Sequence, residues 1–236
     1  VDNPTVYGVV ETDAAGRVQR FVEKPSWEAA TTNMINAGVY ILEAEVLRPI
    51  PLGTHFSFER DLFPHLLESG VPLYGYPFSG YWIDMGTPEK YLQLHRDLLQ
   101  RRISYPFPGK PRKGNIWVEA GCKIHPSAQT EGPLVIGRNC EIKARARVLG
   151  PSVIGAGCCI ELEAFIQGAI LWENVRIGKG VRLEDCVIGN STVIEDDAWI
   201  LHSVVGDNVL VGKGNRLDHG IRVWSGKTLE PDTISF

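Results

Sequence analysis

One aliphatic residue in every six recurs through the second half of this chain, and few folds accept that spacing. The series runs Val118, Ile124, Thr130, Ile136, Ile142, Val148, Ile154, Ile160, Ile166, with Thr130 its one polar member. It resumes at Leu171, Ile177 and Leu183, again at Ile188, Ile194 and Ile200, and finally at Val205, Val211, Leu217, Val223 and Leu229. Three steps (166 to 171, 183 to 188, 200 to 205) are one residue short, and each lands back in register. A helix repeats its faces every 3.6 residues and a strand every 2, so a period of six fits neither alone. It is the signature of a parallel β-solenoid in which the aliphatic side chain points inward and a small residue takes the corner. Gly137, Gly155, Gly178, Gly189, Gly206 and Gly212 stand at such corners. Three hexads close one triangular coil, so residues 116–236 make about six to seven coils. At a strand spacing near 4.8 Å the prism is roughly 30 Å long.

The repeat also accounts for most of the cysteines. Cys122, Cys140 and Cys158 are eighteen residues apart, one full coil, and share a hexad position with Ala128, Ala146, Ala164 and Ala198. A buried column of small residues is expected there, in which a free thiol acts as a small hydrophobe. A thiolate metal ladder would need a fourth ligand, and the sequence offers none. Cys159 and Cys186 have no evident chemistry. Five cysteines without a pairing framework fit a reducing cytoplasm. A net charge of −4 and a pI near 5.9 lack the basic footprint of a nucleic-acid binder. The apolar runs are too short to cross a bilayer.

The first half has a different texture. Val6–Glu11 and Val18–Val22 flank the turn residues 12–16 and read as a hairpin. Pro25 then keeps Lys24 extended, which sends Glu23 and Lys24 to opposite faces. Each is either a solvated hairpin exit or a ligand contact. Met34–Leu42 reads as a strand covered on both sides, interrupted by Asn36 and Gly38. Gly38 marks close approach of a ligand or backbone, and Asn36 is either a satisfied buried amide or a donor to a polar substrate. Glu43–Leu47 reads as a short helix. Ser57 caps a helix over Phe58–Leu67, where Glu59 and His65 read as capping or surface residues. Leu73–Pro77 and Tyr81–Ile83 are expected as strands. Asp84 ends the latter, as a turn-bonding acid or a metal ligand. Thr87, Pro88 and Glu89 open a helix to about Arg101, with His95 on its face. Three prolines and two glycines in Ser104–Asn115 mark a linker between a domain at 1–103 and the solenoid. The chain opens at Val1, just ahead of a strand and without an initiator Met, which leads us to expect a piece of a longer protein.

Five segments in order carry a resemblance: Tyr7-Gly8-Val9-Val10; Phe21-Val22-Glu23-Lys24-Pro25; Ile35-Asn36-Ala37-Gly38-Val39-Tyr40; Ser57 with Glu59 and Phe63-Pro64; and Trp82-Ile83-Asp84-Met85-Gly86-Thr87-Pro88. Followed by the hexads, they resemble the sugar-nucleotidyltransferases, closest to mannose-1-phosphate guanylyltransferases with a C-terminal left-handed β-helix. The resemblance covers nearly the whole chain. It implies an α/β fold, a partial Rossmann-like nucleotidyltransferase domain, joined to an all-β left-handed parallel β-helix. The family's Gly-rich GxGTRL-type phosphate loop and first metal-binding Asp have no counterpart in these residues.

The resemblance further implies in-line transfer of a nucleotidyl group from an NTP, GTP by the closest likeness, to a sugar 1-phosphate. Lys24 and Asp84 are then the catalytic candidates. Lys24 contacts the sugar-linked phosphate, and Asp84 binds Mg²⁺ together with an Asp outside these residues. Gly8, Glu23, Asn36 and Gly38 join Lys24 in holding the sugar phosphate, and Glu59 is a weaker member. Neither nucleic acid nor membrane is an expected partner, and copies are expected to join through the β-helix. Glucose 1-phosphate with dTTP, UTP or ATP is an alternative. A hexapeptide acyltransferase, with His125, His202 or His219 as base, and a non-catalytic scaffold are alternatives of other classes.

Overall fold

A computed structural model describes residues 1–235, and these divide into two compact units, Val1–Trp82 and one that begins at Ile83. In the first, strands β1 (Gly8–Thr12) and β2 (Val18–Glu23) form the expected antiparallel hairpin, with Gly8 opposite Glu23 and a register irregularity at Glu11/Thr12. Asp13 shapes the turn by accepting from the Ala15 and Arg17 amides. A 3₁₀ turn spans Ala44–Leu47, in place of a regular helix. Ser57 caps the next segment as expected, its hydroxyl accepting from the Glu59 and Arg60 amides at 3.2 Å each. That segment is not uniform: a π-helical turn, Phe58–Leu62, leads into α1, Phe63–Glu68. Leu62, Phe63 and Leu66 are buried against Phe21, Tyr40, Phe56 and Phe58 and form the core of this unit.

Three expected strands do not form. Met34–Leu42 makes one bridge, Ile35 to Val9, and Leu73–Pro77 makes one, Tyr74 to Arg17; Tyr81–Ile83 makes none. A strand exists only where a neighbour supplies hydrogen bonds along its length, and the hairpin supplies them at single points. The burial expected on both faces is absent too: Val39 is 83% and Ile41 100% exposed. Lys24 is not extended either. Its φ of +48° puts it in the left-handed region, where its N–H pairs with the Tyr7 carbonyl at 3.0 Å. That bond closes the end of the hairpin and outweighs the preference set by Pro25.

The second unit is the prism that the hexads predict. Three parallel sheets line its sides. The first pairs Val118, Ile136, Ile154, Leu171, Ile188, Val205 and Val223 in register. The second pairs Ile124, Ile142, Ile160, Ile177, Ile194, Val211 and Leu229. The third runs from Thr130 through Val148, Ile166, Leu183 and Ile200 to Leu217. All three short steps fall at the corner between the third and first sheets, so the missing residue never disturbs a ladder. At Gly155 the corner has no room for a side chain: a Cβ there would lie 2.5 Å from the Trp172 carbonyl of the next coil.

The small-residue column is also present, and its thiols do more than fill space. Cys122, Cys140 and Cys158 each place Sγ 3.0 Å from a carbonyl of the next coil, Gly137, Gly155 and Trp172 in turn. Thr192 repeats this with its hydroxyl, donating to Gly206 at 2.7 Å and accepting from the Val209 amide at 3.2 Å. Cys186 is fully buried, and burial pushes its thiol well above the ordinary range.

The segment Ser104–Asn115 is not wholly a linker. Lys110–Arg112 pairs antiparallel with Ile116–Val118 and edges the first sheet. Pro111 is tolerated because an edge strand need not donate every amide. Helix α2, Pro88–Leu99, opens as expected with the Thr87 hydroxyl accepting from the Lys90 amide. It lies on the outer face of the first sheet, with Leu92 against Ile170 and Val187, and Leu99 against Trp117 and Val135. Arg96 fastens it to Asp185 at 2.7 Å. His95 is a helix-face residue, bonded through Nδ1 to the Tyr91 carbonyl, and burial lowers its pKa. No helix among the described residues is long and apolar enough to cross a membrane.

Candidate functional site

Where β1 begins and β2 ends, the hairpin brings three of the candidates together. Gly8 faces Glu23 across the ladder, and the Gly8 carbonyl accepts from the Asn36 amide at 2.7 Å. Gly8 is required by contact: a Cβ there would lie 2.7 Å from Glu23 Oε2 and 2.8 Å from the Phe21 ring. The glutamate carboxylate therefore rests directly over bare backbone. Lys24 follows, exposed, and makes no ion pair with Glu23. Tyr7 meets Trp82 edge-on, with ring centroids 5.2 Å apart.

Asn36 is held by its own neighbours. Its Oδ1 accepts from the Gly38 amide at 3.0 Å, and its Nδ2 donates to the Tyr40 hydroxyl. Gly38 serves this turn through its φ of +73°; a Cβ there would meet open space, so no backbone crowds it, contrary to expectation. Tyr40 passes the chain on, donating to Glu59 Oε1 at 2.8 Å, while Ser57 donates to Oε2 at 2.9 Å. Burial opposes charge on Glu59, yet the bonds from Tyr40, its own backbone and Ser57 bring its pKa below the usual value. Burial, aided by the Glu59 and Glu23 charges and against the Asn36 bond, pushes the Tyr40 phenol up to about 12. Tyr40 therefore stays a neutral donor at any ordinary pH. The cluster offers oriented carboxylate and amide groups to a polyhydroxylated ligand, beside a free ammonium for an anion.

Tyr40 is the residue that sequence reasoning missed, and Glu59 is more than a cap. The signal was one polar atom inside an apolar run, Tyr40 in GVYIL. Asp84 lies in the second unit, exposed in the loop ahead of α2. It forms no ion pair among the described residues, and a Cβ on Gly86 would be only 3.5 Å from its Oδ1. His202 leans on Asp218 at 3.1 Å, His125 turns onto Ser127, and the described residues contain no metal-binding group of three His, Cys, Asp or Glu.

Comparison with known proteins places both halves. Residues 1–101 match the nucleotidyl transferase family, and residues 113–217 match the LbH domain of EIF2B subunit epsilon. A UTP–glucose-1-phosphate uridylyltransferase of Synechocystis sp. is 32% identical over 181 residues, 76% of this chain and 47% of the relative. A mannose-1-phosphate guanylyltransferase of Mycobacterium tuberculosis is 40% identical over 138 residues, 58% of this chain and 37% of the relative. A glucose-1-phosphate adenylyltransferase of Desulfitobacterium hafniense is 39% identical over 114 residues, 45% of this chain and 28% of the relative. The chain thus spans less than half the length of the relatives it matches.

Proposed function

From the match of residues 1–101 to the nucleotidyl transferase family and of residues 113–217 to the LbH domain of EIF2B subunit epsilon, we propose that this chain is the sugar-phosphate-handling part of a mannose-1-phosphate guanylyltransferase. The observation that carries the reading is the cluster of Glu23, Asn36, Tyr40 and Glu59 around the bare backbone of Gly8. In the reaction a phosphate oxygen of mannose 1-phosphate attacks the α-phosphorus of GTP. The bond to the β-phosphate oxygen breaks, and GDP-mannose and pyrophosphate leave. Positioning and charge neutralisation dominate such a step. Glu23 accepts from sugar hydroxyls, Asn36 donates to them, and the Lys24 ammonium offsets charge on the sugar-linked phosphate.

Bound Mg²⁺ would neutralise phosphate charge. Such a hard cation takes one or two carboxylates and completes its shell with water and phosphate oxygens. Exposed, and without an ion pair among the described residues, Asp84 fits as one such carboxylate. The five free cysteines favour a cytoplasmic setting, and the regular prism favours assembly of copies through the solenoid.

Glucose 1-phosphate, with UTP or ATP, is the second reading, favoured by the names of the Synechocystis and D. hafniense relatives. Calorimetric titration of the chain with mannose 1-phosphate and with glucose 1-phosphate separates the two. We expect mannose 1-phosphate to bind more tightly, and Glu23→Gln or Lys24→Ala to weaken it about tenfold or more. Failure of both sugar phosphates to bind would remove the cluster from the site. We expect no pyrophosphate release by these 236 residues alone, since they hold no Gly-rich phosphate loop; release would refute that assignment.

A further inference from the structure

The outward positions of the third sheet carry a pattern that sugar chemistry does not use. One residue before each inward aliphatic, successive coils present Arg147, Phe165, Arg182, Trp199 and Arg216. Parallel in-register pairing sets each beside the next, so cations and rings alternate up the stack. The Arg147 guanidinium lies 5.1 Å from the Phe165 ring centroid, and that of Arg182 lies 5.1 Å from the same ring. Arg182 is also 5.7 Å from the Trp199 ring, and Arg216 is 4.6 Å from it. Stacking uses the faces of a guanidinium and leaves its edge N–H donors available for a carboxylate. Only Arg182 is committed, to Glu184; Arg147 and Arg216 form no ion pair among the described residues. All three arginines are exposed.

We propose that this ladder docks an acidic polyproline II segment of a partner protein, with a carboxylate at every third residue. The arginines recur every second coil, roughly 9.6 Å apart along the prism axis. A polyproline II helix returns to the same face every three residues, after roughly 9.3 Å. An extended strand fits poorly, because residues three apart point to opposite faces. Carboxylates on such a helix meet successive guanidiniums in bidentate pairs, and the ring edges between them take the proline rings. A long polyanion is disfavoured by the chain's net charge of −4, whereas a short segment meets chiefly the exposed Arg147 and Arg216.

The test uses the full chain and fluorescein-labelled peptides read by anisotropy: four repeats of Glu-Pro-Pro, and a peptide of the same composition with its glutamates clustered. The in-register peptide is expected to bind at least about tenfold more tightly, through bidentate pairs with Arg147 and Arg216. Arg147→Gln with Arg216→Gln should remove about tenfold of that affinity while the melting temperature shows the prism intact. Arg147→Lys with Arg216→Lys keeps the charge, loses the fork, and should fall between. Equal binding of the two peptides, no binding, full affinity in the Gln variant, or tighter binding of a twelve-nucleotide oligothymidine would each overturn the proposal.

Discussion

Replacing Thr192 with Val tests whether the inner column of the prism works by hydrogen bonding or by bulk. The side chain is fully buried, and its hydroxyl is the acceptor for the Val209 amide and a donor to the Gly206 carbonyl. Valine keeps the shape, so no cavity opens. What is lost is one bond to a carbonyl, about 0.5–1.5 kcal/mol, and the pairing of a buried N–H, about 1–3 kcal/mol. We expect a loss of about 2–3 kcal/mol, or roughly 5–10 °C in Tm for a unit of this size. Thr192→Cys is the decisive control, because the three cysteines of the same column already bond the next coil. It should melt above the Val variant, short of the native protein by about 1 kcal/mol for the missing methyl. Calorimetric melting reads the order, and hydrogen exchange at the Val209 amide reads the local effect. A Val variant as stable as the native chain, or a Cys variant that melts below the Val variant, would show that the column serves packing alone.

Gly8→Ala should drive a methyl into Glu23 and Phe21, costing about 1–3 kcal/mol by overpacking, and should weaken sugar-phosphate binding in the same titration that tests Glu23. The Tyr40 phenol should titrate at about 12 by ultraviolet absorbance, well above the ordinary 10.0. Because the folded state holds that proton longer than the unfolded chain, stability should fall with rising pH between those two values. Titration of all tyrosines near 10 would remove Tyr40 from its bond to Glu59. Leu99→Ala, at the end of α2 that packs on Trp117 and Val135, should cost about 2–5 kcal/mol in denaturant unfolding, whereas Arg96→Ala should cost about 0–1 kcal/mol because its pair with Asp185 is half exposed.

The prism was legible because a solenoid writes its geometry into residue spacing. Each inward position is set by its distance from the last, and no partner elsewhere in the chain is needed to interpret it. Register, the placement of the three short steps and the cysteine column all follow from counting. Composition alone does not show that a thiol in that column reaches the next coil's carbonyl, because the bond depends on where the coil turns. Pro111 misled for a related reason: its meaning depends on whether its strand lies at an edge, which is a property of the sheet.

The hairpin unit shows the converse. Met34–Leu42 has the composition of a covered strand, yet Ile41 is fully exposed and one bridge is the segment's whole ladder. Composition states which surroundings a segment suits and not whether they are present. The cluster was legible only as far as local chemistry reaches. Glu23 and Asn36 stood out as polar residues beside turns, but Tyr40 and Glu59 are nineteen residues apart, and nothing local announces their bond. Lys24 completes the case. A rule about the residue before proline predicted an extended backbone, and one hydrogen bond to Tyr7, available only once the hairpin has closed, sets the opposite sign of φ. The residues proposed to hold the ligand are thus positioned by contacts that exist only after folding, beside a segment that leaves Val39 and Ile41 exposed.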